Sequence, residues 1–260
     1  MIAFRCAAVL FATLLAFAVT PAMAERLIIS LSNHRVMVTS SYTGVDLVLF
    51  GSVERDQATV ARRSGYDVVV TVTGPRETER TRRKGRVAGI WVNVDSRTFV
   101  NVPGYLAVLS SKPAEAIADA DTQRRLQIGF DDIILPQRIG PDVADVVKED
   151  PFRKAFVRLK EEQGLYIERE NAVTFLTPTL FRADVPMPAN VPFGIYEIDV
   201  KLFADGAMIA QTNTALEVIK VGFEQFVADA ARDHSLLYGL ATAMLALLTG
   251  WFASVVFRRD

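Results

Sequence analysis

The hydrophobic pattern divides the chain into two wholly apolar stretches and a long region between them where apolar residues come in short runs. Cys6–Val19 is the first stretch, preceded by Arg5 and followed by Ala22-Met23-Ala24. A positive start, an apolar centre and an Ala-x-Ala exit predict a cleavable export signal over 1–24. An uncleaved anchor is the alternative, but the run is short beside the ~20 residues a span takes. The second stretch, 235–257, lies in a segment with no charge between Asp233 and Arg258. At about 1.5 Å per residue it forms a helix of roughly 34 Å, enough to cross a hydrocarbon core of about 30 Å. Tyr238 and Trp251 lie towards its two ends, where amphipathic rings favour the headgroup region. A helix apolar on every side fits a membrane span better than a core helix, which keeps a polar face.

Between the two, residues 25–111 read as strands. Apolar runs at Leu27–Leu31, Val36–Val38, Val45–Phe50, Val68–Val72, Ile90–Val94, Phe99–Val102 and Tyr105–Leu109 are separated by turn formers such as Thr43-Gly44, Gly74-Pro75 and Pro103-Gly104. The segment 112–164 changes character. Pro113–Gln127 predicts one helix opened by proline, and Gly129–Pro141 reads as loop. A second helix has Asp150 as N-cap, Pro151 in its first turn and Gly164 beyond its end, with Phe152, Ala155, Phe156 and Leu159 as its buried face. In 165–222 the β pattern returns: Tyr196, Ile198, Val200 and Leu202 alternate with Glu197, Asp199 and Lys201. Asp205-Gly206 marks a hairpin turn, Met208–Ile219 the returning strand, and Pro186, Pro188 and Pro192 an extended connection outside any central strand. Residues 223–234 form a short helical lead into the span and 258–260 follow it. The expected fold is mainly β: one or two immunoglobulin-like antiparallel β-sandwiches with a short helical connection, plus a C-terminal transmembrane helix.

Charge at the far end of the span sets the expected orientation. Arg258 and Arg259 favour the cytoplasmic side. An export signal places 25–234 on the other side. Both arguments predict a single-pass protein with a large exported domain, held in the lipid bilayer by 235–257.

Composition narrows the chemistry. Cys6 is the only cysteine, so the exported region has no disulfide, no thiolate metal site and no thiol nucleophile. His34 and His234 are the only histidines, too few for a multi-histidine zinc site and poor material for a histidine-based triad. Net charge is −1, so no overall field points to nucleic acid. No cofactor is expected, and a non-enzyme is the expectation, with carboxylate-only catalysis as the remaining enzymatic route.

The densest charge cluster is Arg76, Arg80, Arg82, Arg83, Lys84 and Arg86, interleaved with Glu77 and Glu79 and read as a strand-turn-strand face. It fits an anion or an acidic partner. It fits equally a solvated face that carries charge for solubility. Just beyond it, Trp91 reads as a core side chain in Ile90-Trp91-Val92-Asn93, or as a stacking partner for the arginines. The candidate binding residues are therefore Arg82, Arg83, Lys84, Arg86 and Trp91. His34 reads as a turn residue.

Three strings carry a family likeness: Leu31-Ser32-Asn33-His34, Tyr42-Thr43-Gly44-Val45-Asp46-Leu47-Val48-Leu49-Phe50-Gly51, and Arg82-Arg83-Lys84-Gly85-Arg86-Val87-Ala88-Gly89-Ile90-Trp91-Val92-Asn93. With the apolar helix and closing Arg-Arg, the chain resembles the alphaproteobacterial putative transmembrane protein family from about residue 25 to the tail. That resemblance implies an inner-membrane protein with a periplasmic domain, and partnership with an integral membrane permease of the sulfite-exporter-like kind. It carries no catalytic residue over to this chain. The functional expectation is an accessory or interaction subunit of a membrane protein. The alternative is a periplasmic oxyanion-binding protein that uses the Arg82–Arg86 segment.

Overall fold

The computed structural model describes residues 25–55, 65–139, 142–145, 148–222, 227 and 231–256. The export-signal expectation over 1–24 and the Arg258-Arg259 pair lie outside the described residues. The helical lead expected at 223–234 falls there in part.

Fourteen strands and four helices make up the described chain. The strands are β1 (Glu25–Leu31), β2 (Arg35–Val38), β3 (Gly44–Arg55), β4 (Asp67–Thr73), β5 (Arg76–Val87), β6 (Ile90–Pro103) and β7 (Leu106–Ser110), then β8 (Pro136–Ile139), β9 (Asp142–Asp145), β10 (Tyr166–Arg169), β11 (Val173–Phe175), β12 (Leu180–Pro188), β13 (Gly194–Ala204) and β14 (Ala207–Lys220). The helices are α1 (Ala114–Ile117), α2 (Ala120–Leu126), α3 (Pro151–Glu162) and α4 (Ser235–Val256). Three sheets result, ordered β1-β3-β12-β11, β10-β7-β4-β13-β14-β2 and β5-β6-β8-β9. Each of the first two sheets combines strands from 25–111 with strands from 165–222. The two β segments therefore complete each other's sheets. The mainly β class holds, with antiparallel pairing dominant and, among the described residues, parallel pairs only at β10–β7 and β14–β2.

The six-stranded sheet shows why the pattern folds this way. Val68, Val70 and Val72 of β4 are fully buried, as are Ile198, Val200 and Leu202 of β13, and all five residues of β7 are buried. On β4 and β13 the residues between them face the other way, which is the period-2 alternation the sequence carries. Asp205 (φ 51°) and Gly206 (φ 81°) are both left-handed, the two-residue turn that matches strand twist between β13 and β14. Buried phenols bond to carbonyls: Tyr166 donates to Pro103 O at 2.9 Å and Tyr196 to Pro192 O at 2.6 Å. Burial pushes both hydroxyls above the ordinary phenol range, so each remains a donor at neutral pH.

In the first sheet, Gly51 of β3 faces Phe181 of β12. A Cβ at Gly51 would sit 2.0 Å from the Phe181 ring, which is itself fully buried and has nowhere to go. Gly51→Ala is expected to lower stability by about 1–3 kcal/mol through overpacking. Denaturant melts of the two proteins check this, and an unchanged midpoint would show that the ring has room to move.

The helical connection departs from expectation in three places. The single helix expected over Pro113–Gln127 is two, because the Asp119 carboxylate accepts from Thr122 N at 2.9 Å and starts a fresh helix there. The expected loop at Gly129–Pro141 contains β8. In α3, Asp150 does cap the helix, accepting from Arg153 N at 2.8 Å, and Gly164 (φ 70°) follows its end. Its buried side chains, however, are Phe152, Arg153, Phe156 and Lys160, while Leu159 is 40% exposed. Two cations displace the expected apolar stripe because each has partners in the interior.

The helix α4 has a window Ser235–Ser254 of mean hydropathy 1.7, none of it buried against the rest of the chain. Thr242 and Thr249 donate to carbonyls one turn back, Tyr238 O at 3.0 Å and Leu245 O at 2.7 Å. Both hydroxyls are thus satisfied inside the helix, as a lipid environment requires.

Candidate functional site

Strands β5 and β6 form a long hairpin whose root is embedded and whose tip is bare. At the root, Thr81 and Phe99 are buried, and the Phe99 ring stacks on Phe156 of α3 with centroids 4.4 Å apart. Lys160, 3% exposed, pairs with Glu79 and lies 3.5 Å from Glu77. Burial and a hydrogen bond with Glu79 push the Glu77 carboxyl up, against the pull of Lys160. This group ties the base of the hairpin to α3.

At the tip, Ala88 (φ 50°) and Gly89 (φ 85°) make a left-handed two-residue turn. All six cations of the basic run therefore lie on the single strand β5, with the turn beyond them rather than within them. Arg86 opposes Trp91 and Lys84 opposes Asn93 across the hairpin, whereas Val87 opposes Ile90 and Gly85 opposes Val92. Directly opposed side chains share a face, and alternate residues along a strand share it too. One face of the tip thus carries Arg82, Lys84, Arg86 and Trp91. The other carries Val87, Ile90 and Val92. A register shift between Arg83 and Lys84 accompanies Val94, whose methyls cover Gly85; a Cβ there would meet Val94 at 2.7 Å.

Trp91 is 70% exposed and Ile90 65% exposed. The expected core role for Trp91 is therefore wrong. The hairpin extends past the last side chain of α3 that could cover it, so the apolar run near its tip has no core to enter. Arg83 separates from its neighbours: it lies on the opposite face, 3.7 Å from Asp95 and 6.0 Å from the Phe152 ring centroid. Arg97 lies nearer that ring, at 4.9 Å, and bonds to the same Asp95 at 3.1 Å. A cleft of about 240 Å³ runs between β5 and α3, lined by Arg82, Arg83, Lys84, Phe152 and Arg158 among others. Phe152 and Arg158 were not among the expected site residues. Arg158, four residues from Lys154 on an exposed helix face, was the signal available. His34 is exposed in the β1–β2 turn, its carbonyl accepting from Glu217 N at 3.0 Å.

The arrangement brings Arg82, Lys84, Arg86 and Trp91 onto one exposed surface with aliphatic side chains behind it. It supplies positive charge, a ring with an N–H donor, and apolar area. Surfaces of this make-up bind other macromolecules, where exposed aromatics and arginines serve as anchors.

Compared with known proteins, residues 26–259 match the family described as "Putative transmembrane protein (Alph_Pro_TM)". No curated protein matches.

Proposed function

The chain belongs to this putative transmembrane protein family, and from that premise we propose that it is a membrane-tethered accessory subunit. Its β-rich domain lies on the periplasmic side of the inner membrane, anchored by α4 as a single span, and the β5–β6 hairpin engages an integral membrane partner. A permease of the sulfite-exporter-like kind is the partner class that the sequence resemblance implies. The protein acts by binding, not by catalysis. The observation that carries this reading is the bare hairpin tip, where Ile90, Trp91 and Arg86 stand exposed on a rigidly rooted element. Exposed aromatic and aliphatic side chains clustered on one projection mark interaction sites in soluble domains.

Co-purification tests it. The triple substitution Arg86→Glu, Ile90→Ser and Trp91→Ser removes charge, aliphatic and aromatic anchors while touching no core side chain. Surface changes of this kind shift stability by only about 0.5 kcal/mol each, so the thermal midpoint should hardly move. The tagged chain, solubilised in mild detergent, should lose its membrane-protein partner. Retention of the same partner at the same yield by the variant would refute the hairpin's role.

A second reading, capture of a small oxyanion, is supported by the cleft between β5 and α3. Arg82, Arg83 and Lys84 line it together with Arg158. Guanidinium groups there offer forked donors to sulfur or phosphorus oxyanions.

A further inference from the structure

The outer face of the six-stranded sheet is unlike the outer face of an ordinary sandwich. On β4 it presents Thr71 and Thr73, on β13 Glu197, Asp199 and Lys201, and on β14 Gln211. Thr71 opposes Asp199 and Thr73 opposes Glu197 on the adjacent strand, and Lys201 opposes Gln211 on the next. This polar floor is overhung at its margins. The hairpin root (Arg76, Asn101, Pro103), the end of α2 (Arg125–Gln127) and the Ile133–Pro136 segment flank it, leaving an open-mouthed groove of about 460 Å³ in which Arg76, Asn101, Arg125 and Glu197 are exposed. That volume falls in the range of small-molecule sites, and a lining this polar selects a polar occupant.

Three features of the lining indicate its charge. Asp199 is already engaged, by Lys201 Nζ at one oxygen and by Gln211 Nε2 at 2.8 Å on the other. Glu197 accepts from Asn213 Nδ2 at 3.4 Å. By contrast, the hydrogen bonds of the two arginines go to neutral acceptors: Arg76 Nη1 to Asn101 O at 3.1 Å and Arg125 Nη2 to Thr122 Oγ1 at 3.3 Å. Asn101 sits in the left-handed region (φ 57°) while its carbonyl accepts from Arg76 at the groove wall.

We infer that this groove is a binding site for a small carboxylate-bearing polar molecule, with Arg76 and Arg125 taking the carboxylate. The site is separate from the β5–α3 cleft and from the hairpin tip, and does not depend on the accessory-subunit reading. Its residues come from three strands of one sheet, the hairpin root, the end of α2 and the Ile133–Pro136 segment, so occupancy would also brace the hairpin.

Calorimetric titration of the full chain in detergent tests this, with gluconate, citrate and L-glutamate as ligands and sorbitol as the neutral counterpart of gluconate. At least one acid should bind, and sorbitol should not. Arg76→Gln should weaken the acid by about tenfold or more, the usual effect of losing a charged hydrogen bond. Arg125→Gln should weaken it as well while leaving the melting temperature of the unliganded chain nearly unchanged, since the side chain is exposed. The proposal fails if no acid binds, if sorbitol binds as well as gluconate, or if neither variant changes the affinity. It fails equally if Arg83→Ala alone abolishes binding, which would move the anion to the β5–α3 cleft.

Discussion

Arg153→Ala is expected to destabilise the β-rich domain by about 3–5 kcal/mol, the usual cost of stripping a buried charge from its partners. Arg153 is 4% exposed. Its guanidinium donates to the carbonyls of Ile133 at 2.7 Å, Asp131 at 3.1 Å and Phe130 at 3.5 Å, and to Asp145 at 3.4 Å. Asp145 keeps a bond from Leu135 N at 3.1 Å and is partly solvated, so the main loss is at the carbonyls. The one Nη2 group serves all three, so they lose this donor together. Domains of this kind have a total stability of only about 5–15 kcal/mol, so a large fraction disappears with one side chain. Arg153→Met separates the causes, because it keeps apolar volume and removes only the donors. Urea unfolding should place Met close to Ala. A methionine variant as stable as the natural protein would show that the cation merely fills space.

Ending the chain before Ser235 should shift nearly all of the protein from the carbonate-resistant membrane pellet to the soluble fraction. Leucine, valine and phenylalanine at the centre of a span favour insertion by roughly 0.3–0.6 kcal/mol each. Six leucines, Leu236, Leu237, Leu240, Leu245, Leu247 and Leu248, lie within α4. No described part of the β-rich domain buries the helix, so its apolar surface has only lipid to meet. Fractionation before and after alkaline carbonate reads the result. A truncated chain that still pellets would mean that the hairpin or another surface, and not α4, holds the protein at the membrane.

Local signals are legible in the sequence where the partners are near along the chain. The β13–β14 hairpin followed from strict alternation and Asp205-Gly206, and the start of α3 from Asp150-Pro151. The span followed from unbroken apolarity. What escaped depends on distant segments. Lys160 reaches Glu79, 81 residues away, and Arg153 reaches a loop some 20 residues back, so neither partnership is visible in the local spacing of α3. Reading α3 by its apolar spacing alone therefore turned its face towards Leu159. Trp91 misled for the opposite reason. An apolar run flanked by turns resembles a core strand, and only the length of β5 and β6 reveals that the hairpin outruns the body that could bury it. The polar floor of Thr71, Thr73, Glu197 and Asp199 was legible as the outward face of two strands. Its flanks were not, because Arg76, Asn101 and Ile133 arrive from three separate segments.

The side of the membrane on which the β-rich domain lies underpins the proposed role, and one measurement addresses it most directly. Protease is added to intact spheroplasts expressing the full chain with a tag after Asp260. Digestion should remove the β-rich domain from outside, leaving a small tagged fragment that contains α4 protected within. If the domain survives external protease and is cut only after the spheroplasts are lysed, it faces the cytoplasm, and the account of a periplasmic accessory subunit is wrong.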